Sequence, residues 1–137
     1  MTQEEKQLLL VDLCARLPYE PMCEFTDTED DFCTTTARLG YSLRDFVAGK
    51  VLIKPYLRPM SSMTEEEREE FYKECEKDYK IAVNEANRSY KSKFDEYAPL
   101  LSSYHKHDWL NANHFDYRGL IPIGLALEAP EDMYKIK

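Results

Sequence analysis

The chain has 137 residues, of which 43 % are hydrophobic and 32 % charged, and its formal net charge is −8. That length suits one domain, or one domain with an appendage, and the apolar content is too high for a wholly disordered chain. Asp and Glu outnumber Lys and Arg by 26 to 18, which argues against direct nucleic-acid binding through a basic surface and against attraction to anionic membranes.

The opening stretch has one short apolar run, Leu8 to Val11, stopped by Asp12. A signal peptide needs a basic start and a longer apolar core, and a membrane span needs roughly 20 apolar residues. A cytoplasmic location is therefore expected. Cys14, Cys23, Cys33 and Cys75 make no CxxC pair, so reduced, mostly buried thiols are expected rather than a disulfide framework or a zinc knuckle.

Thr2 and Glu5 form a capping-box pattern, in which each side chain satisfies the other residue's free backbone N–H. A helix is predicted from Gln3 to Leu17, with Leu9, Leu10, Leu13, Cys14 and Leu17 on its apolar face and Pro18 stopping it. Met22, Cys23 and Phe25 lie in an extended run, Asp27 to Asp31 is an acidic turn, and the Thr-rich stretch Phe32 to Leu39 is the returning strand. Ser42 to Val47 is one helical turn or an irregular loop, and Ala48-Gly49 turns the chain. Lys50 to Leu57 is the clearest strand. Its Pro55 points to an edge position or a strand end, because proline cannot donate to a ladder.

A second capping box at Thr64 to Glu67 starts a helix with no Gly or Pro before Pro99. Tyr72, Cys75, Tyr79, Ala82, Ala86, Tyr90, Phe94 and Tyr97 follow at steps of three and four, a narrow apolar seam near heptad spacing. A continuous helix over 65–98 would be about 50 Å long, against about 30 Å for a domain of this size. It either breaks near Asn87-Arg88-Ser89 or projects and needs a partner helix, from this chain or another subunit. Leu100 to Asn111 is predicted as a further helix, ended by Asn113 and Gly119. Gly119 to Ala129 is expected as buried turns or a short strand, and Pro130 to Lys137 as a tail. Trp109, Phe115 and Tyr117 are expected to anchor the C-terminal segment onto the sheet.

The expected fold class is α+β in a single domain, 1–137. An N-terminal helix and a small antiparallel sheet or partial barrel occupy 1–58, the long helix 59–99, and a C-terminal helical segment packs back over 100–137.

Chemistry-bearing residues are sparse. His105, His107 and His114 lie close in sequence to Asp108 and Asp116. Their spacing is not the H-E-x-x-H of a zinc enzyme, and caps on neighbouring turns explain them as well. There is no P-loop, no G-x-G-x-x-G and no nucleophile elbow. No catalytic residue, metal or cofactor is assigned. Eight carboxylates and three basic residues fall within 65–78. They read either as a solvated helix start or as an acidic nucleic-acid mimic that occupies a basic cleft on another protein. Tyrosine, with an apolar body and polar tip, suits interfaces. The interface candidates are Tyr72, Tyr79, Tyr90, Tyr97, Glu66, Glu69 and Glu70.

Three stretches carry a resemblance: EEKQLLLVDLCARLPY near the start, KPYLRPMSSMTEEE from Lys54 to Glu67, and HDWLNANHFDYRGLIPIGLALEAPEDMY from His107 to Tyr134. They resemble an uncharacterised family of small proteins of gut anaerobic bacteria and their prophages, over about half the chain. The resemblance implies a cytoplasmic accessory protein, phage-borne in one version of that reading, and carries over no catalytic residue. The expected function is a non-enzymatic protein-binding module that engages a protein partner or itself, with a host or defence protein as the target in the phage-borne case. The alternatives are a small enzyme or metal site on His105, His107 and His114, and the acidic mimic.

Overall fold

The computed structural model describes residues 1–29, 33–40, 43–86 and 104–134, with side chains throughout except at 81–86. The fold is α+β. The chain divides into two compact units: Met1–Ser61 with His114–Lys137, and Ser62–Asn113.

The first unit opens with α1, Gln3–Arg16. Both arms of the Thr2–Glu5 capping box are made, each at 3.1 Å. The chain then tightens into a 3-10 turn, Leu17–Tyr19, at Pro18, and leaves it through Glu20 in the left-handed region. The buried face of α1 is Leu9, Asp12, Leu13 and Arg16. It is rotated from the expected face: Leu10 is half-buried, and Cys14 and Leu17 are exposed. An i, i+4 ion pair occupies two positions of the buried stripe, so hydropathy alone misplaces that stripe.

Strands β1 (Met22–Asp27), β2 (Thr34–Arg38), β3 (Val51–Leu57) and β4 (Leu127–Glu128) form an open sheet in the order β2-β1-β3-β4. β1 pairs antiparallel with β2 and β3, as expected. β4 runs parallel to β3 at Tyr56 and Leu57, so the sheet is mixed and open rather than an antiparallel sheet or partial barrel. The cause is the returning C-terminal chain. It first meets β3's end in a parallel bridge between Arg58 and Phe115, then supplies β4 beside the same strand. Pro55 pairs with Cys23 just before β4 joins, the boundary position a non-donating residue tolerates.

Between β2 and β3 lies α2, Leu43–Val47, a single helical turn with Phe46 buried. It stops at Gly49 (φ 80°), with Gly49 N–H donating to Phe46 O and Lys50 N–H to Asp45 O. That bond pair is a Schellman stop, which a residue without Cβ adopts most readily. The core combines Leu9 and Leu13 of α1, Cys23 and Phe25 of β1, Ile53 and Leu57 of β3, and Phe46, with Leu39, Leu120, Leu125 and Ala126 from the connecting segments. Alternate residues of β1 and β3 point inward, whereas all of β2 is exposed.

The second unit contains α3, Glu65–Ala86, and α4, Tyr104–Ala112. The Thr64–Glu67 box is made at 3.1 and 3.2 Å. The continuity of the long helix past Ala86 falls outside the described residues. The packed side of α3 carries Phe71, whose ring meets Trp109 at 5.6 Å, and Asp78. Trp109 thus packs within this helix pair. Asp78 is buried and accepts from the backbone N–H groups of His105 and Lys106 at 3.0 and 2.9 Å, with His105 Nδ1 also at 3.0 Å. A residue 27 positions upstream therefore does for α4 what an N-cap residue ordinarily does.

Replacing that carboxylate should leave two first-turn N–H groups of α4 without their acceptor. We expect Asp78→Ala to destabilise the second unit by about 1–3 kcal/mol, and Asp78→Asn by less. Amide hydrogen exchange at His105 and Lys106 should rise first. Unchanged exchange at those two amides would contradict the capping role.

Candidate functional site

Two places concentrate functional groups, one in each unit. The first is the outer side of α3. Because Phe71, Glu74, Cys75 and Asp78 take the less exposed side of the helix, Tyr72 and Tyr79 stand in solvent, 61 % and 69 % exposed. Of the expected seam, Cys75 lies on the packed side and Tyr72 and Tyr79 do not. Hydropathy favours the tyrosines, while the true packed stripe carries Glu74 and Asp78. At about 100° per residue, Glu65, Glu69 and Glu76 lie within roughly 70° of the Tyr72–Tyr79 line. Glu66 and Glu70 lie round the far flank, beside Lys73 and Lys77. Of the three candidate glutamates, Glu69 accompanies the tyrosines, while Glu66 and Glu70 are exposed on the neighbouring face. Tyr90 and Tyr97 fall outside the described residues. Glu74 on the packed side holds Lys77 at 3.0 Å, whereas Glu65–Arg68 at 3.7 Å and Glu76–Lys80 at 3.8 Å are exposed and loose, so these two pairs leave their carboxylates open to other partners.

The second place is a buried polar network in the first unit, which sequence reasoning missed. Asp12 and Arg16 are fully buried. Arg16 Nε donates to Asp12 Oδ2 at 2.8 Å, and Arg118 Nη1 donates to Asp12 Oδ1 at 2.7 Å. Arg16 Nη2 donates to Phe115 O at 2.6 Å. The Tyr117 ring has the Arg118 and Arg16 guanidinium carbons 4.7 and 5.3 Å from its centre. Asp116 accepts from the N–H groups of Leu120 and Ile121 at 2.8 and 2.9 Å, closing the turn that follows. The missed signal was the DxxxR pair of Asp12 and Arg16 inside the Leu9–Leu13 stripe.

Tyr134, within the expected tail, is docked on the sheet. The Tyr134 hydroxyl donates to Tyr56 O at 2.6 Å and accepts from Met22 N–H at 2.9 Å, tying β3 to β1. Its ring stacks on His114 at 3.8 Å. Burial raises the phenol above its ordinary value.

The three histidines are divided between the two units. α4 ends at Ala112, and His114 follows it with φ 63° in the first unit, whereas His105 and His107 are on α4 in the second. Among the described residues, no group of three or more His, Cys, Asp or Glu is placed to hold a metal ion. Burial, then the charges of Arg16, Arg58 and Arg38, push the His114 imidazole down to about 4. Cys23 is buried and its thiol is pushed up to about 12, chiefly by burial. Cys75 is half-buried and also raised by burial. Cys14 and Cys33 are exposed, so burial holds for only part of the expected set. All four cysteines are free. No helix among the described residues is long and apolar enough to cross a membrane.

Removing Asp12 would leave two guanidinium groups without their shared carboxylate. We expect Asp12→Ala to destabilise the first unit by about 3–5 kcal/mol in urea unfolding, and a loss below 1 kcal/mol would contradict the network's role. His114 makes stability depend on pH with a definite sign. It is neutral when folded and takes up a proton on unfolding between about pH 6.5 and 4, so stability falls as pH drops through that window. Allowing for partial exposure, the loss is on the order of 2 kcal/mol. His114→Asn, which suits the left-handed backbone, should flatten that part of the pH profile. An identical slope in the variant would exclude His114 as the source.

Comparison with protein-family models, with curated proteins and with solved structures finds no match for this chain.

Proposed function

We propose that this chain is a non-enzymatic protein-binding module that acts in the cytoplasm, and that it binds through the outer side of α3. The observation carrying this reading is the pair of tyrosines, Tyr72 and Tyr79, seven residues apart and 61 % and 69 % exposed. Neither contributes to the packed side of its own helix. Large aromatic rings left in water are a feature enriched at interfaces, and the carboxylates beside them set the charge of a partner that fits.

The partner this surface fits is a protein that presents arginine and lysine. Guanidinium groups stack on tyrosine rings and pair with carboxylates, and both kinds of group lie together along Glu65, Glu69, Tyr72, Glu76 and Tyr79. A nucleic-acid-binding cleft on another protein is one such surface, which brings the acidic-mimic reading into the same proposal. The family placement, and with it a phage-borne role against a host or defence protein, rests on the three quoted sequence stretches. It directs the search for a partner without adding residues to the site.

The test is affinity capture from the native host with the full chain and three variants in parallel. Tyr72→Ser/Tyr79→Ser should lower recovery of the bound protein by about tenfold or more, as loss of central aromatic anchors does. Glu69→Lys should lower it in a salt-dependent way, and Glu66→Lys/Glu70→Lys should lower it least. Equal recovery by all four chains would overturn the reading. Loss only in the Glu66/Glu70 variant would move the site to the far flank and overturn the tyrosine assignment.

A further inference from the structure

Two buried nitrogens of the first unit, Arg16 Nη1 and His114 Nδ1, have no hydrogen-bond partner among the described residues. Arg16 is fully buried, and its other nitrogens are in use, Nε on Asp12 at 2.8 Å and Nη2 on Phe115 O at 2.6 Å. Guanidinium nitrogens donate and never accept, so Nη1 is served only by an acceptor. Buried polar groups are almost always paired, and a charged donor left unpaired is costly. Arg16 reaches the backbone of Phe115, the residue next to His114, so both nitrogens belong to one corner of the buried network.

That corner is positive in a chain whose net charge is −8. Arg16 and Arg118 share one carboxylate, Asp12. Arg58 donates its N–H to His114 O at 2.7 Å, and its guanidinium lies 4.2 Å from the centre of the Phe115 ring. Arg38 of β2 pairs with Met22, whose N–H binds the Tyr134 hydroxyl, and the Tyr134 ring stacks on His114. The charges of Arg16, Arg58 and Arg38 all act on the imidazole and oppose its protonation. The acids nearby are engaged elsewhere: Glu20 with Arg38 in an exposed pair at 3.6 Å, and Asp116 with the N–H groups of Leu120 and Ile121. Cys23 of β1 and Tyr134 are raised by burial and stay neutral.

We propose that Arg16 and His114 hold a small inorganic anion, with Nη1 of the guanidinium and Nδ1 of the imidazole as its donors and Arg38 and Arg58 as surrounding charge. An anion accepts from the unpaired donor and also offsets the surplus positive charge, whereas water does only the first. Both nitrogens are shut off from solvent and the His114 side is half-buried, so the ion is small and enters by a turn of the His114 ring. A negative charge beside that ring favours imidazolium over imidazole. Binding is therefore linked to a proton, and affinity rises as pH falls from neutral, by up to about tenfold per pH unit. The site is separate from the tyrosine face of α3, and neither assignment depends on the other.

Nitrogen-edited NMR of the histidine imidazoles in the full chain tests the proposal. The chain is titrated with sodium chloride and with sodium sulfate, against sodium gluconate at equal ionic strength. Gluconate supplies the same screening with an anion too large for the site. The expected result is a saturating shift of the His114 resonances with chloride or sulfate, and a His114 titration midpoint moved up by about one pH unit or more. His105 and His107, in the second unit, should not follow. Arg16→Lys keeps the charge but not the planar fork and should weaken binding by about tenfold or more. Arg38→Glu, at an exposed position, should weaken it by about threefold or more, and carries the comparison if Arg16→Lys does not fold. No saturating shift with either ion would overturn the proposal and leave the two nitrogens to water. So would equal shifts at all three histidines, which report screening alone, or binding unaffected by Arg38→Glu.

Discussion

One carboxylate sets the arrangement of the first unit. Asp12 sits in the apolar face of α1 and holds two guanidinium groups, Arg16 of its own helix and Arg118 from 106 residues further on. An ion pair with no solvent exposure gains little net energy over an apolar replacement, but breaking one side of it is expensive. Its effect is to specify which segment lies against α1. Arg16 also holds Phe115 O, and Phe115 bridges to Arg58 at the end of β3. Once that segment is fixed, Asp116 closes the turn that brings Leu120, Leu125 and Ala126 into the core. β4 then follows beside β3.

The second unit solves its own closure with the same group used differently. Asp78 accepts backbone N–H bonds at the start of α4 on both of its oxygens. Asp12 and Asp116 also use both oxygens, for guanidinium and backbone donors respectively. Aspartate is short, so its carboxylate is tightly positioned by its own backbone and can bind two donors at fixed spacing. Each of these buried residues is thereby committed to positioning chain segments. That commitment directs the functional reading toward the exposed residues.

Local features were legible in the sequence. Both capping boxes are visible because their partners are three residues apart, and the strands β1 and β3 because their inward residues alternate. What was not legible depends on distant partners. The buried face of α1 was misplaced because Asp12 and Arg16 score as surface residues until Arg118 is known to meet them. β4 lies where buried turns or a short strand were expected, but its parallel direction is set by the route of the returning chain. Tyr134 lies in a polar stretch that resembles a tail, and only the backbone groups of Met22 and Tyr56 explain its position. On α3 the tyrosines were found, but as a seam. Glu74 and Asp78 disguise the packed side, and that disguise made the outer side look like the inner one.

The charge of −8 is placed for more than one reason. Part of it is explained by helix initiation, since Glu65 to Glu67 occupy the first turn of α3, where the helix dipole favours anions. Glu69 and Glu76 lie beyond that turn and gain nothing from it. They lie beside two exposed rings that the helix pair does not use for packing. An electrostatic face of this kind attracts a basic partner most strongly when ionic strength is low. Screening weakens any contact such a face makes through charge and leaves a contact made by the two rings in place.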